Sequence, residues 1–169
     1  EGASNAVHYP VRATTVTIDT YLTEHYKIAE DENVALLKID VEGYEFFVVE
    51  GARRIIRRYL PHVLMELQPQ VTLQLVPAWD EHAGRVLSPQ ERIATWFNFL
   101  RSELKYKVLY FPWESIKYGP DDHGYDWNGE LPRGARDFTE VPIEDLLAIK
   151  YTVNFWFIPP TIATHFVTV

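Results

Sequence analysis

Three carboxylates and a lysine crowd into one short run, Lys38-Ile39-Asp40-Val41-Glu42-Gly43-Tyr44-Glu45. Asp40 and Glu42 lie two residues apart, so on an extended backbone both side chains project to the same side. Acids so placed can orient a hydroxyl or take its proton. Gly43 lets the chain turn sharply and leaves the backbone open to a close ligand. Glu45 reads as a first-turn acid of the helix that follows, where its charge complements the dipole. Lys38 reads as a partner for a neighbouring carboxylate. A further acid, Glu66, closes the next apolar run. Charges beside buried strands need partners, which favours a functional role for Asp40 and Glu42 together.

The surrounding elements say where these residues sit. Val34 to Val41 is apolar without strict alternation, as a strand buried on both faces would be. Helical periodicity from Glu45 to Leu60 puts Phe46, Val49, Ala52, Ile55, Ile56 and Tyr59 on one face, and Pro61 stops it. His62 to Leu67 is a second buried strand, closed by Pro69. Ser88-Pro89-Gln90-Glu91 predicts a helix start with a capping box. Ile93, Trp96, Phe97, Leu100 and Leu104 then share a face, and Tyr106 to Phe111 is the next strand. Pro112 to Glu140 reads as a long loop, Pro142 to Ile149 as a short helix, and Thr152 to Ile158 as a last strand. Upstream, Thr14 to Ile18 reads as a strand, with Asp19 capping a helix from Thr20 to about Tyr26. Strands and helices that alternate with short connections predict an α/β fold with parallel strands and right-handed crossovers. Ligands of such sheets lie beyond the carboxyl ends of the strands, which singles out Lys38 to Glu45 and Glu66 to Gln70.

Composition narrows the function classes. The 169 residues suffice for one core, and a formal net charge of −8 argues against nucleic acid as a partner. The basic group Arg53, Arg54, Arg57 and Arg58, with Glu50 three and four residues before the first two, reads as a solvated helix face. There is no cysteine, which excludes a disulfide framework and thiolate chemistry, and no apolar run long enough to span a bilayer. Asp121 to Gly129 has calcium-loop composition, but the ligand positions fall out of register. His82 lacks a second histidine at ligand spacing, and Ser88 and Ser115 have no nucleophile-elbow context. The aromatics Trp113, Tyr118, Tyr125 and Trp127 suit either an acceptor-side lid or a loop packed back on the body.

Four segments carry a resemblance. Thr17-Ile18-Asp19-Thr20-Tyr21-Leu22, Leu37-Lys38-Ile39-Asp40-Val41-Glu42-Gly43-Tyr44-Glu45, Val49-Glu50-Gly51-Ala52, and Pro61 through Glu66 resemble FkbM-type methyltransferases in order and spacing. The resemblance is strong from Val16 to Gln68. It implies a Rossmann-like class I methyltransferase sheet of strand order 3-2-1-4-5-7-6 with the last strand antiparallel. The four main strands here would be its fourth, fifth, sixth and seventh, lying side by side as first, second, fourth and third in chain order. It implies S-adenosyl-L-methionine as cofactor, contacted by Asp40 and Gly43, and a small-molecule or glycan acceptor whose hydroxyl is methylated. Asp40 and Glu42 would be catalytic, Glu42 orienting the hydroxyl or acting as base, with Glu66 and Lys38 on the substrate side. No glycine-rich strand-turn-helix matches the cofactor cradle, so residues 1–169 are expected to be the carboxyl-terminal half of the domain. Two alternatives stand beside this: a divalent metal held by Asp40, Glu42 and Glu66 that assists the transfer, and a non-catalytic half-domain that pairs or self-associates through the open edge of the Val34 strand.

Overall fold

The computed structural model of the chain describes residues 12–112, 136–149 and 152–160. In chain order they form α1 (Ile18–Thr20), β1 (Leu36–Ile39), α2 (Glu45–Gly51), α3 (Arg53–Tyr59), β2 (His62–Leu67) and α4 (Pro69–Thr72). Then come β3 (Ala78–Asp80), β4 (Arg85–Leu87), α5 (Pro89–Asn98), β5 (Lys107–Pro112), β6 (Arg136–Asp137), α6 (Ile143–Leu147) and β7 (Val153–Ile158). Short π-helical turns extend α1 over Tyr21–His25 and α5 over Phe99–Glu103. Among the described residues no helix is long and apolar enough to cross a membrane.

Five strands form one mixed sheet in the order β1-β2-β7-β5-β6. β1 runs parallel to β2, whereas β7 is antiparallel to both β2 and β5. The four main strands therefore lie as first, second, fourth and third, with the last antiparallel, as the resemblance implies. The outermost strand, β6, lies inside the stretch read as a loop, and its two residues pair with Leu109 and Tyr110 of β5. The Asp121–Gly129 run, Ser115 and the aromatics Trp113, Tyr118, Tyr125 and Trp127 lie outside the described residues.

One face of the sheet carries the main core. Val63, Met65 and Leu67 point into it opposite Phe157, Phe155 and Val153, and Val108 and Tyr110 continue the same face on β5. Phe46, Val49, Ala52 and Ile56 from α2 and α3, and Ile93, Trp96 and Phe97 from α5, close over it. On the opposite face, among the described residues, a small cluster of Leu109, Ile158 and Trp156 forms. The expectation that β1 and β2 are buried on both faces therefore fails. β2 alternates buried and half-buried residues, and Leu36 at the start of β1 is 58% exposed. Their unalternating apolar composition does not specify how many faces are covered.

Upstream of the sheet, the structure departs from local expectation in an informative way. Thr14 to Ile18 forms no strand, and the cap of α1 is Thr17, whose hydroxyl accepts from the Thr20 amide. Asp19 caps a different helix. Its Oδ2 accepts from the Arg54 amide and its Oδ1 from the Ile55 amide, each at 2.9 Å. These are two of the free amides at the start of α3, exposed because the predicted single helix from Glu45 to Leu60 breaks at Ala52. The cap works across 35 residues of chain. Ser88 caps α5 as expected, with reciprocal Ser88 and Glu91 bonds. Glu50, by contrast, turns away from the arginines of α3 toward Arg92.

Two substitutions separate these contributions. Asp19→Ala should destabilise the fold by about 2 kcal/mol, since a buried carboxylate holding two amides is lost. Arg54→Ala should cost less than about 0.5 kcal/mol, because its 3.4 Å ion pair to Asp19 involves a side chain 66% exposed. Urea unfolding of both variants measures the difference, and equal costs would contradict the capping role.

Candidate active site

The turn after β1 is built by left-handed backbone. Glu42 has φ +52° and Gly43 φ +102°, and the Tyr44 amide closes the turn on the Val41 carbonyl at 3.3 Å. A Cβ on Gly43 would stand 2.8 Å from Val71 Cγ1, so both the backbone angle and the packing demand glycine. The close approach that Gly43 permits is made by α4 of the same chain.

Glu45 is the residue that local reasoning undervalued. It opens α2 but is fully buried, and its Oε1 accepts the Gly43 amide at 2.8 Å. The carboxylate curls back under the turn rather than standing free at the helix end. Oε2 has no hydrogen-bond partner, and the Thr72 hydroxyl beside it donates to the Gln68 carbonyl at 3.2 Å. Burial pushes its pKa upward, opposed by the amides of the turn and by Thr72. The one sequence signal for this role is the glycine two positions before it.

The other acids face outward. Lys38 Nζ pairs with Asp40 Oδ2 at 2.8 Å, with both side chains more than two-fifths exposed. Lys38 thus finds the neighbouring carboxylate that its spacing suggested. Glu42 accepts from Gln68 Nε2 at 2.6 Å, which ties the turn after β1 to the segment after β2. Glu66, half-buried near the end of β2, feels all three: burial and the charges of Asp40 and Glu42 raise its pKa, while Lys38 lowers it. The fold therefore brings Lys38, Asp40, Glu42 and Glu66 together where two parallel strands end, and adds Gln68. It does not make a metal centre of them. Among the described residues no group of three or more histidine or carboxylate side chains could hold an ion, so the arrangement of Asp40, Glu42 and Glu66 as a ligand set is not found.

The sequence model of the Methyltransferase FkbM domain matches residues 2–107. The chain belongs to the FkbM methyltransferase domain family. The match runs through the strand-end acids and Glu66 to the first residue of β5. Methyl transfer is accordingly the chemistry of the family to which this site belongs. No curated protein and no solved structure matches the chain.

Titration tests the Glu45 clasp. A carboxyl whose folded pKa is raised adds most stability when protonated; the contribution is whole below the unfolded pKa and lost as pH rises through the folded one. Glu45→Gln removes that loss, so variant stability relative to the parent should climb as pH rises above about 4.3. Urea midpoints across the acid range should show it, and a difference independent of pH would refute the burial argument. Gly43→Ala should cost about 1–3 kcal/mol, since its positive φ is strained for alanine. Val71→Ala should leave most of that cost in place.

Proposed function

We propose that this domain transfers a methyl group from S-adenosyl-L-methionine to a hydroxyl oxygen of a sugar or other small metabolite. The observation that supports this most is the proximity of Asp40, Glu42 and Glu66 at the carboxyl ends of β1 and β2, in a chain of the FkbM methyltransferase family. That is the position at which open α/β sheets bind ligands.

The residues present suit such a donor. When bound, it supplies an electrophilic methyl on a cationic sulfonium. Three carboxylates set against one lysine favour a cation there, and their exposure leaves Asp40 and Glu42 free to meet a ligand. Asp40 takes the donor side, held in place by Lys38. Glu42, steadied by Gln68, orients the acceptor hydroxyl. Glu66, whose pKa is lifted by burial and by its acidic neighbours, stands on the acceptor side of the set. Transfer of this kind is an in-line displacement in which positioning supplies most of the acceleration.

Among the described residues there is no glycine-rich strand-turn-helix, and we read the chain as the carboxyl-terminal part of the catalytic domain. The chain alone should then bind the donor weakly, about two orders of magnitude or more below a complete cradle if three hydrogen bonds are missing. An NMR titration with S-adenosylmethionine should move the amides of Asp40 to Tyr44 and of Glu66 to Gln68, with the shifts lost in Asp40→Ala. Shifts confined to other elements would remove this cleft from the reaction.

A pairing role is the second reading. β1 has one strand neighbour among the described residues, and Leu36 on it is 58% exposed. Sedimentation equilibrium should then find a dimer that Leu36→Lys dissociates. A monomer at all concentrations would end that reading.

A further inference from the structure

Where α3 begins, a cavity of about 230 Å³ is walled by Asp19, Glu50, Arg53, Arg54, Glu81, His82 and Trp96. It lies against the helix layer and shares no residue with the strand-end acids. Its acids are largely spent. Asp19 holds the amides of Arg54 and Ile55, and Glu50 holds Arg92 and the Glu81 amide. The first amides of α3 are thus already occupied by a carboxylate of the chain itself.

The cations are not spent. Among the described residues Arg53 forms no ion pair, and its Nε is buried without an acceptor. Its guanidinium has the Phe99 ring at 5.9 Å, which offers no hydrogen bond. Arg54 commits only Nε, at 3.4 Å, to Asp19 and leaves the rest of its fork open. His82 stands with its ring 5.6 Å from that of Trp96. A buried donor without an acceptor is costly, and a planar guanidinium fork matches an oxyanion better than any other small ligand. Glu81, exposed and without a side-chain partner among the described residues, is the acid of the wall that can compete.

We infer that this cavity is an oxyanion site, in which Arg53, Arg54 and His82 receive a phosphate group carried by a ligand. Three donor side chains around one space suit a tetrahedral anion, which offers acceptors in several directions, better than a flat carboxylate. The site does not depend on the proposed methyl transfer and would stand if that reading failed.

Inorganic phosphate, titrated into the nitrogen-15-labelled chain at constant ionic strength, tests the inference. The Arg53 Nε–H and His82 ring resonances should move saturably. Arg53→Met, which keeps most of the stem against Phe99, should weaken binding by about tenfold or more. Arg57→Met, which also removes a guanidinium from Phe99 but lies outside the cavity wall, should leave binding unchanged. Glu81→Gln should tighten it. Acetate at the same concentration should bind more weakly than phosphate. His82→Ala, at an exposed position, supplies the same loss should Arg53→Met fail to fold. Absence of saturation, equal shifts in Arg53→Met, or weaker binding in Glu81→Gln would each overturn the assignment.

Discussion

A buried guanidinium constrains most of the helix layer. Arg92 on α5 is 2% exposed, and its Nη1 meets both Glu50 of α2 and Asp80 of β3. Its Nη2 takes the carbonyls of Ala78 and Trp79 at 3.1 and 3.0 Å, and the Phe47 ring lies 4.1 Å from its guanidinium carbon. Asp80 also receives the Trp96 indole N–H. Removing Arg92 would leave the buried Asp80 without its counter-charge, a loss of about 3–5 kcal/mol in comparable sites. So α2, the β3–β4 hairpin and α5 are fixed to one another. The strand-end acids inherit that fixation, because α2 begins at the Glu45 that closes their turn.

The acids of this chain divide by what they hold. Asp19, Glu45 and Asp80 are buried and spend themselves on backbone amides or on Arg92 and Trp96. Asp40 and Glu42 are exposed and hold only Lys38 and Gln68. A buried carboxylate satisfied by fixed donors is part of the framework. One held by a single neighbouring side chain can exchange it for a ligand. The stretch from Asp40 to Glu45 thus contains both kinds side by side, with Glu42 facing outward and Glu45 inward three residues later.

The sheet gives the family assignment its spatial meaning. β1 and β2 are parallel neighbours, so their carboxyl ends and the acids there lie on one edge of the sheet. β7 enters antiparallel between β2 and β5, and its Phe155 and Phe157 anchor the core beneath the helices. Those last strands lie beyond the matched span of residues 2–107, yet they complete the core on which the matched segment rests.

What the sequence determined by itself was whatever a few neighbouring residues decide. His62 to Leu67 is bounded by prolines and reads as a strand of those limits; Ser88 and Glu91 cap α5 across three residues; the acids at Asp40, Glu42 and Glu66 follow from where strands must end. The tertiary structure decided the rest. The helix from Glu45 breaks at Ala52, and Asp19, distant in the chain, caps its second half. The β3–β4 hairpin has strands of three residues and too little alternation to be visible, and Arg92 holds it in place. Glu45 looks like a solvated first-turn acid until the turn and α4 bury it. Local pattern fixes a segment's own hydrogen bonds, whereas the partner of a buried charge is chosen by segments that meet only when the chain has folded.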